Sequence, residues 1–299
     1  MSRVADAYEQ LIARFLAWAQ ARPDIRTALV LGSRARTDRP ADEWSDLDIL
    51  LVVTDPEPYL TTTDWLKNMG DVRITFLEPT AGGNLERRVL FEGGLDVDFP
   101  IIPQEMMEQM AQHGLPAEVA RIFRRGVRVL IDRDRLADRL HQADAEPPPP
   151  GLPAQSEVLE AINDFWYHAV WTAKKLKRGE LWTARACSDG YMKRLLLKMI
   201  EWHAATMNGG DRDVWHDGRF LEQWADPRVP EGLRRAFGHY DRDDIRRALL
   251  AMMDLFRWLA LEVTERLDYR YPHSTDEYAT GLVKMVLSQD SGTVSGDGA

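Results

Sequence analysis

Two short stretches hold residue types that could do chemistry together. In Ser45-Asp46-Leu47-Asp48-Ile49-Leu50-Leu51-Val52-Val53, two acids open an apolar run that reads as a buried strand. Alternate side chains of a strand share a face, so Asp46 and Asp48 point the same way, about 7 Å apart along the backbone. Leu47, Ile49 and Leu51 then fill the opposite, buried face. Two carboxylates side by side repel unless a cation sits between them. Mg²⁺ characteristically takes one or two carboxylates together with substrate phosphates. The complementary stretch is Gly32-Ser33-Arg34-Ala35-Arg36, at the end of the apolar run Thr27–Leu31. A glycine lets backbone N–H groups approach a phosphate closely, and the serine hydroxyl adds a donor. Arg34 and Arg36 add positive charge near a triphosphate. A third carboxylate is wanted, to help hold the metal or to take a proton from an attacking hydroxyl. The strand Asp96-Val97-Asp98-Phe99 offers two on one face, with Val97, Phe99 and Ile101 toward the core, and spacing alone does not choose between them. A phosphate cradle beside a metal-binding pair is what nucleotidyl transfer requires. Either motif alone is common at solvated strand ends; their order along the chain makes the pair informative.

The elements that must hold these groups are legible from periodicity. Residues 3–22 carry Tyr8, Leu11, Ile12, Phe15 and Trp18 at helical spacing, closed by Pro23. Strands are expected over 27–31, 46–53, 72–77, 96–102 and 127–131, and helices over 104–112 and 116–124. Pro147 to Pro150, with Gly151 and Pro153, form an extended break that can join neither a helix nor a central strand. Beyond it the pattern is helical, with helices expected from Ser156 and near 184–207, 217–225, 242–268 and 274–288. The predicted class is α+β: an N-terminal domain (1–146) with a mixed sheet and flanking helices, a Pro-rich linker (147–155), an all-helical bundle (156–287) and a disordered Gly/Ser/Asp-rich tail (288–299).

Composition narrows the partners. A chain of 299 residues suggests about two domains. With 44% hydrophobic and 29% charged residues it is an ordinary globular sequence. Thirty-eight basic against 48 acidic residues give a net charge of -10, which argues against a nucleic-acid partner and suits a cationic one. The single cysteine, Cys187, excludes an internal disulfide and a cysteine-based zinc cluster and fits a cytoplasmic setting. No charge-free apolar window of about 18 residues predicts a membrane span, and the N-terminus lacks the apolar core of a signal peptide. A monomer is the default expectation. A cationic acceptor calls for carboxylates and aromatic faces. Asp164, Trp166 and Tyr167 lie on one predicted helix of the second domain, with Asp164 and Tyr167 on a shared face; bundle core is the competing reading for Trp166.

The segments LVLGSRAR (29–36) and WSDLDILLVVTD (44–55), with a later strand Asp, resemble the nucleotidyltransferase superfamily that includes DNA polymerase beta. FEGGLDVDFPIIP (91–103), NDFWYHAVWTAKKLKRGE (163–180), LLLKMIEWH (195–203) and EVTERLDYRYP (262–272) extend the resemblance along nearly the whole chain. Together they look like the aminoglycoside 6-adenylyltransferases, also called streptomycin adenylyltransferases. The resemblance implies Mg²⁺-dependent transfer of AMP from ATP to a hydroxyl of a streptomycin-type aminoglycoside, with release of pyrophosphate. By it, Gly32 and Ser33 bind the nucleotide phosphates and Asp46 and Asp48 hold Mg²⁺. The third-motif acid falls on Asp98, as third metal ligand and general base. Lys174 matches a family lysine that reaches the triphosphate. The chain departs from the family's usual pattern at Arg36, where Asn is frequent, and at Gly93, where Asp is frequent. A protein or another small molecule as acceptor, and a nucleotide-binding module without turnover, are the alternatives.

Overall fold

The computed structural model describes residues 3–36, 39–80, 83–143, 152–207, 214 and 216–288. The proline run of the expected linker and the expected tail beyond Ser288 lie outside these residues. The chain divides into two compact units, residues 1–147 and 148–299.

In the first unit six strands form one sheet: β1 (Ile25–Leu31), β2 (Leu47–Val53), β3 (Val72–Pro79), β4 (Leu85–Phe91), β5 (Leu95–Pro103) and β6 (Arg128–Asp132). Their order across the sheet is β3-β4-β5-β2-β1-β6. β2 and β5 run parallel, and every other neighbouring pair is antiparallel. Among the described residues five helices accompany the sheet: α1 (Arg3–Gln20), α2 (Glu57–Thr61), α3 (Gln104–His113), α4 (Ala117–Arg124) and α5 (Leu136–Ala143).

The period-2 pattern assigns a core to each sheet face. Leu47, Ile49, Leu51, Val97, Phe99 and Ile101 pack with Leu11, Ile12 and Phe15 of α1 and with Tyr59 and Trp65. On the other face Leu29, Leu31, Leu50, Val52 and Ile102 pack with Met107, Phe123 and Leu140 of α3, α4 and α5. In β2 this second layer ends at Leu50, and the next outward positions on that face are Asp48 and Asp46. The helices thus cover one end of the face and leave the acids at the other.

Strand β4 is absent from the pattern read in the sequence. Adjacent Arg87 and Arg88 disguise its alternation; Arg87 is buried because its guanidinium donates to the Leu60 carbonyl. Helices α2 and α5 are also additions.

The second unit is helical: α6 (Gln155–Lys177), α7 (Leu181–Ala186), α8 (Lys193–Met207), α9 (Leu221–Trp224), α10 (Arg228–Ala236), α11 (Arg242–Arg266) and α12 (His273–Ser288). The helix expected over 184–207 is three pieces, because a wider π turn, Cys187–Met192, interrupts it. The helix expected over 217–225 shrinks to α9, since Asp217 and Phe220 adopt left-handed φ of 53° and 56°. The unforeseen α10 follows Pro227 and buries Val229 and Ala236. The core centres on Phe165 and Phe256, stacked with ring centroids 3.7 Å apart. Among the described residues no helix is long and apolar enough to cross a membrane.

Candidate active site

Strand pairing brings the predicted acids together. β2 and β5 are in parallel register with Leu47 beside Val97 and Asp48 beside Asp98. Ligand oxygens of Asp46, Asp48 and Asp98 all lie within 4.8 Å of one another. Asp96 shares the face of Asp98 but does not belong to that group.

The glycine–serine turn sits against the same point. Leu31 pairs with Asp48 at the end of β1, and the chain then turns through Gly32–Arg34. Gly32 has φ of 65°, a conformation that penalises any side chain. A Cβ built on it would also collide with the Asp48 carboxylate. A side chain here would be strained by the torsion and would push the Asp48 carboxylate from its place, so both constraints favour glycine. The Ser33 hydroxyl is buried and has no hydrogen-bond partner among the described residues.

Asp98 is the most deeply buried of the three clustered acids. It is 4% exposed, and its Oδ1 has no hydrogen-bond partner among the described residues. Oδ2 lies 3.3 Å from Arg88 Nη2. Burial pushes its pKa up to about 7; Arg88 opposes the rise, while Asp48, Glu86 and Asp96 reinforce it. Burial and the neighbouring Asp46 raise Asp96 as well. A cluster of hard oxygen donors, with Asp98 Oδ1 buried and without a hydrogen-bond partner among the described residues, fits a hard divalent cation such as Mg²⁺. The orphaned Ser33 hydroxyl fits a phosphate oxygen by the same reasoning.

The two arginines of the turn are engaged with backbone. Arg34 donates from Nε to the Asp46 carbonyl (2.9 Å) and from Nη2 to the Ser45 carbonyl (2.7 Å). Arg36 donates from Nε to the Arg39 carbonyl at 2.7 Å. Arg88, which sequence reading did not single out, is clasped by Glu78 (2.7 Å) and Glu86 (2.8 Å) while reaching Asp98. Its signal lay in the strand that was missed.

In the helical unit the expected residues divide. Asp164 accepts from the Tyr191 hydroxyl at 2.8 Å and pairs with His168 Nδ1 at 2.6 Å. Tyr167 is 66% exposed, and Lys174 is exposed on α6. Trp166 is a correction. It is fully buried, edge-on to Phe165 and Phe256, and presents no surface to a ligand. The helical period that places Asp164 and Tyr167 outward turns the intervening residue inward. Two grooves of about 620 and 670 Å³, beside α10 and α11 and beside α11 and α12, touch none of the three clustered carboxylates.

The chain is similar to known proteins over most of its length. An aminoglycoside 6-adenylyltransferase of Bacillus subtilis (strain 168) is 25% identical over 92% of this chain and 95% of its own length. One from Campylobacter jejuni is 25% identical over 90% of this chain and 92% of its own. The crystal structure of a Bacillus subtilis aminoglycoside 6-adenyltransferase, 22% identical, aligns with a TM-score of 0.46 over 93% of this chain and 98% of that one. The family model for streptomycin adenylyltransferase matches residues 6–286. A match of that extent makes the chain a member of the streptomycin adenylyltransferase family, a nucleotidyltransferase with an α+β sheet unit followed by a helical one.

Proposed function

We propose that the protein transfers AMP from ATP to a hydroxyl of a streptomycin-type aminoglycoside. The observation that carries this reading is the convergence of Asp46, Asp48 and Asp98 beside a turn where Gly32 leaves no room for a side chain. Asp46, Asp48 and Asp98 would hold Mg²⁺, which when bound neutralises the triphosphate and favours an ionised acceptor oxygen. Gly32 presents main-chain N–H groups and Ser33 its hydroxyl to the phosphates. Asp98 is assigned also to accept the proton of the attacking hydroxyl. The acceptor oxygen bonds to the α-phosphorus, the bond from that phosphorus to the bridging oxygen breaks, and pyrophosphate departs with the electron pair. Lys174 is assigned to the triphosphate and Arg34 and Arg36 to the charge around the turn. In the helical unit, Asp164 and the exposed face of Tyr167 are assigned to the cationic acceptor. The setting proposed is the cytoplasm.

Mass analysis of streptomycin after incubation with protein, ATP and Mg²⁺ tests the reaction; the expected product carries one added AMP. Asp46→Asn should abolish that product and leave the circular dichroism spectrum unchanged. Retained turnover in this variant would overturn the assignment.

A further inference from the structure

The two acid-bearing strands, β2 and β5, run side by side, and their pairing begins only at Leu47 and Val97. Asp46 and Asp96 lie just before that first pair, among like charges. Like charges repel strongly in a partly desolvated site. β4 pairs with β5 from Leu95 onward, but no ladder pair joins Asp46 to Asp96 directly, so a side-chain contact there would fix the spacing of the two entrances.

One contact spans both entrances. Tyr8 of α1 is buried, and its hydroxyl accepts from the Asp96 amide N–H at 3.1 Å. The same hydroxyl lies 3.5 Å from the Asp96 carbonyl as donor. The Tyr8 ring carries the Arg34 guanidinium, whose carbon lies 3.5 Å from the ring centroid. That guanidinium in turn grips the carbonyls of Ser45 and Asp46. One tyrosine and one arginine therefore link the backbone at the start of β5 to the backbone at the start of β2. A fork of two N–H donors on two successive carbonyls suits arginine and no other side chain.

We propose that Tyr8 and Arg34 are positioning residues that set the separation of the metal-holding carboxylates. The proposal rests on the nucleotidyl-transfer reading above. It assigns Arg34 primarily to the strand entrances, where sequence alone pointed to the phosphates. Neither residue touches a reacting atom; Arg34 acts through the backbone at Asp46 and Tyr8 through the backbone at Asp96, two residues before Asp98. Side chains that orient metal ligands typically influence metal affinity or activity by about 10- to 100-fold.

The test measures Mn²⁺ binding to the full chain by electron paramagnetic resonance, alongside kcat and KM for ATP, in Tyr8→Phe, Arg34→Gln and the double variant. Arg34→Gln is expected to weaken Mn²⁺ binding and lower kcat by about 10- to 100-fold each, with KM for ATP little changed. Tyr8→Phe keeps the ring beneath the guanidinium and loses only the hydroxyl, so it should fold and show a smaller loss of the same kind. Because the two act through one connection, the double variant should lose less than the product of the single losses. Wild-type Mn²⁺ affinity in Arg34→Gln, with the defect confined to KM for ATP, would return Arg34 to the phosphates and overturn the proposal. So would strictly multiplicative losses, or lowered melting temperatures with unchanged Mn²⁺ affinity. If the unaltered protein neither binds Mn²⁺ nor transfers AMP, the functional reading fails first and this proposal with it.

Discussion

Asp98 in the sheet unit and Asp276 in the helical unit are equally hidden, at 4% and 6% exposure, and have opposite fates. Asp276 accepts from Arg257 Nε (2.7 Å) and Nη2 (2.8 Å), from the Tyr271 hydroxyl (2.8 Å) and from Thr280 Oγ1 (3.0 Å). Arg257, Tyr271 and Thr280 hold its carboxyl below the usual range against the cost of burial. Asp98 has a single arginine contact at 3.3 Å, one oxygen without a partner among the described residues, and acids around it. A carboxylate whose lone pairs are all occupied by its own protein ties helices together. One whose lone pairs are left open is kept for something that arrives from outside.

The largest effect that would sharpen the contrast is catalytic. Asp98→Asn should lower kcat by about 10²- to 10⁴-fold, as expected for loss of a general base. Its melting temperature should hold or rise, because an ill-compensated buried acid has been removed. A pronounced fall in melting temperature would break the comparison.

Asp276→Asn should do the reverse. It leaves Arg257 facing a neutral partner, so unfolding of the helical unit should become easier by about 3 kcal/mol, read by urea denaturation. The chemical step should keep its rate in whatever fraction remains folded.

The two acids should also respond to pH with opposite signs. Asp276 has a lowered pKa, so its contribution is present above about pH 4 and is lost as the pH falls below that toward its lowered folded value. Asp98 has a raised pKa. Between about pH 4 and pH 7 the folded sheet unit holds a proton that the unfolded chain releases, so this group's contribution declines as pH rises through that window. Melting the metal-free protein from about pH 2 to about pH 8 should show both trends, that of Asp276 below about pH 4 and that of Asp98 above it. Adding Mg²⁺ above pH 7 should restore what Asp98 loses, since a ligand bound only by the folded state stabilises it.

The smallest expected effect concerns the acceptor. Tyr167→Ala should raise KM for the aminoglycoside by about 2- to 5-fold without changing stability, the scale of one exposed cation–π contact.

Much of the candidate site was legible because it is written in strand alternation. Leu47, Ile49 and Leu51 had to face one way, so Asp46 and Asp48 faced the other, and the same rule oriented Val97 against Asp98. What resisted was anything decided by contacts distant in sequence. Arg87 is a buried charge whose hydrogen-bond acceptor is the Leu60 carbonyl in α2, and beside it Arg88 lost its strand. Arg34 has the chemistry of a phosphate ligand, and only the position of Tyr8, 26 residues earlier, gives it a second task. Trp166 and Tyr167 are adjacent aromatics of similar chemistry, and the rotation of α6 alone separates core from surface. The π turn at Cys187–Met192 has no pattern in composition, since it shifts the helical period without changing residue types.

The bend at Gly32 has a bearing on evolution and on inhibitor design. Every replacement at that position would suffer both an unfavourable torsion and a clash with Asp48. A compound drawing its affinity from the main-chain amides there would confront a spot where substitution is penalised twice, once by the torsion and once by displacement of an acid of the site. Escape would have to arise at peripheral contacts, and a small, turn-directed molecule would offer few of those.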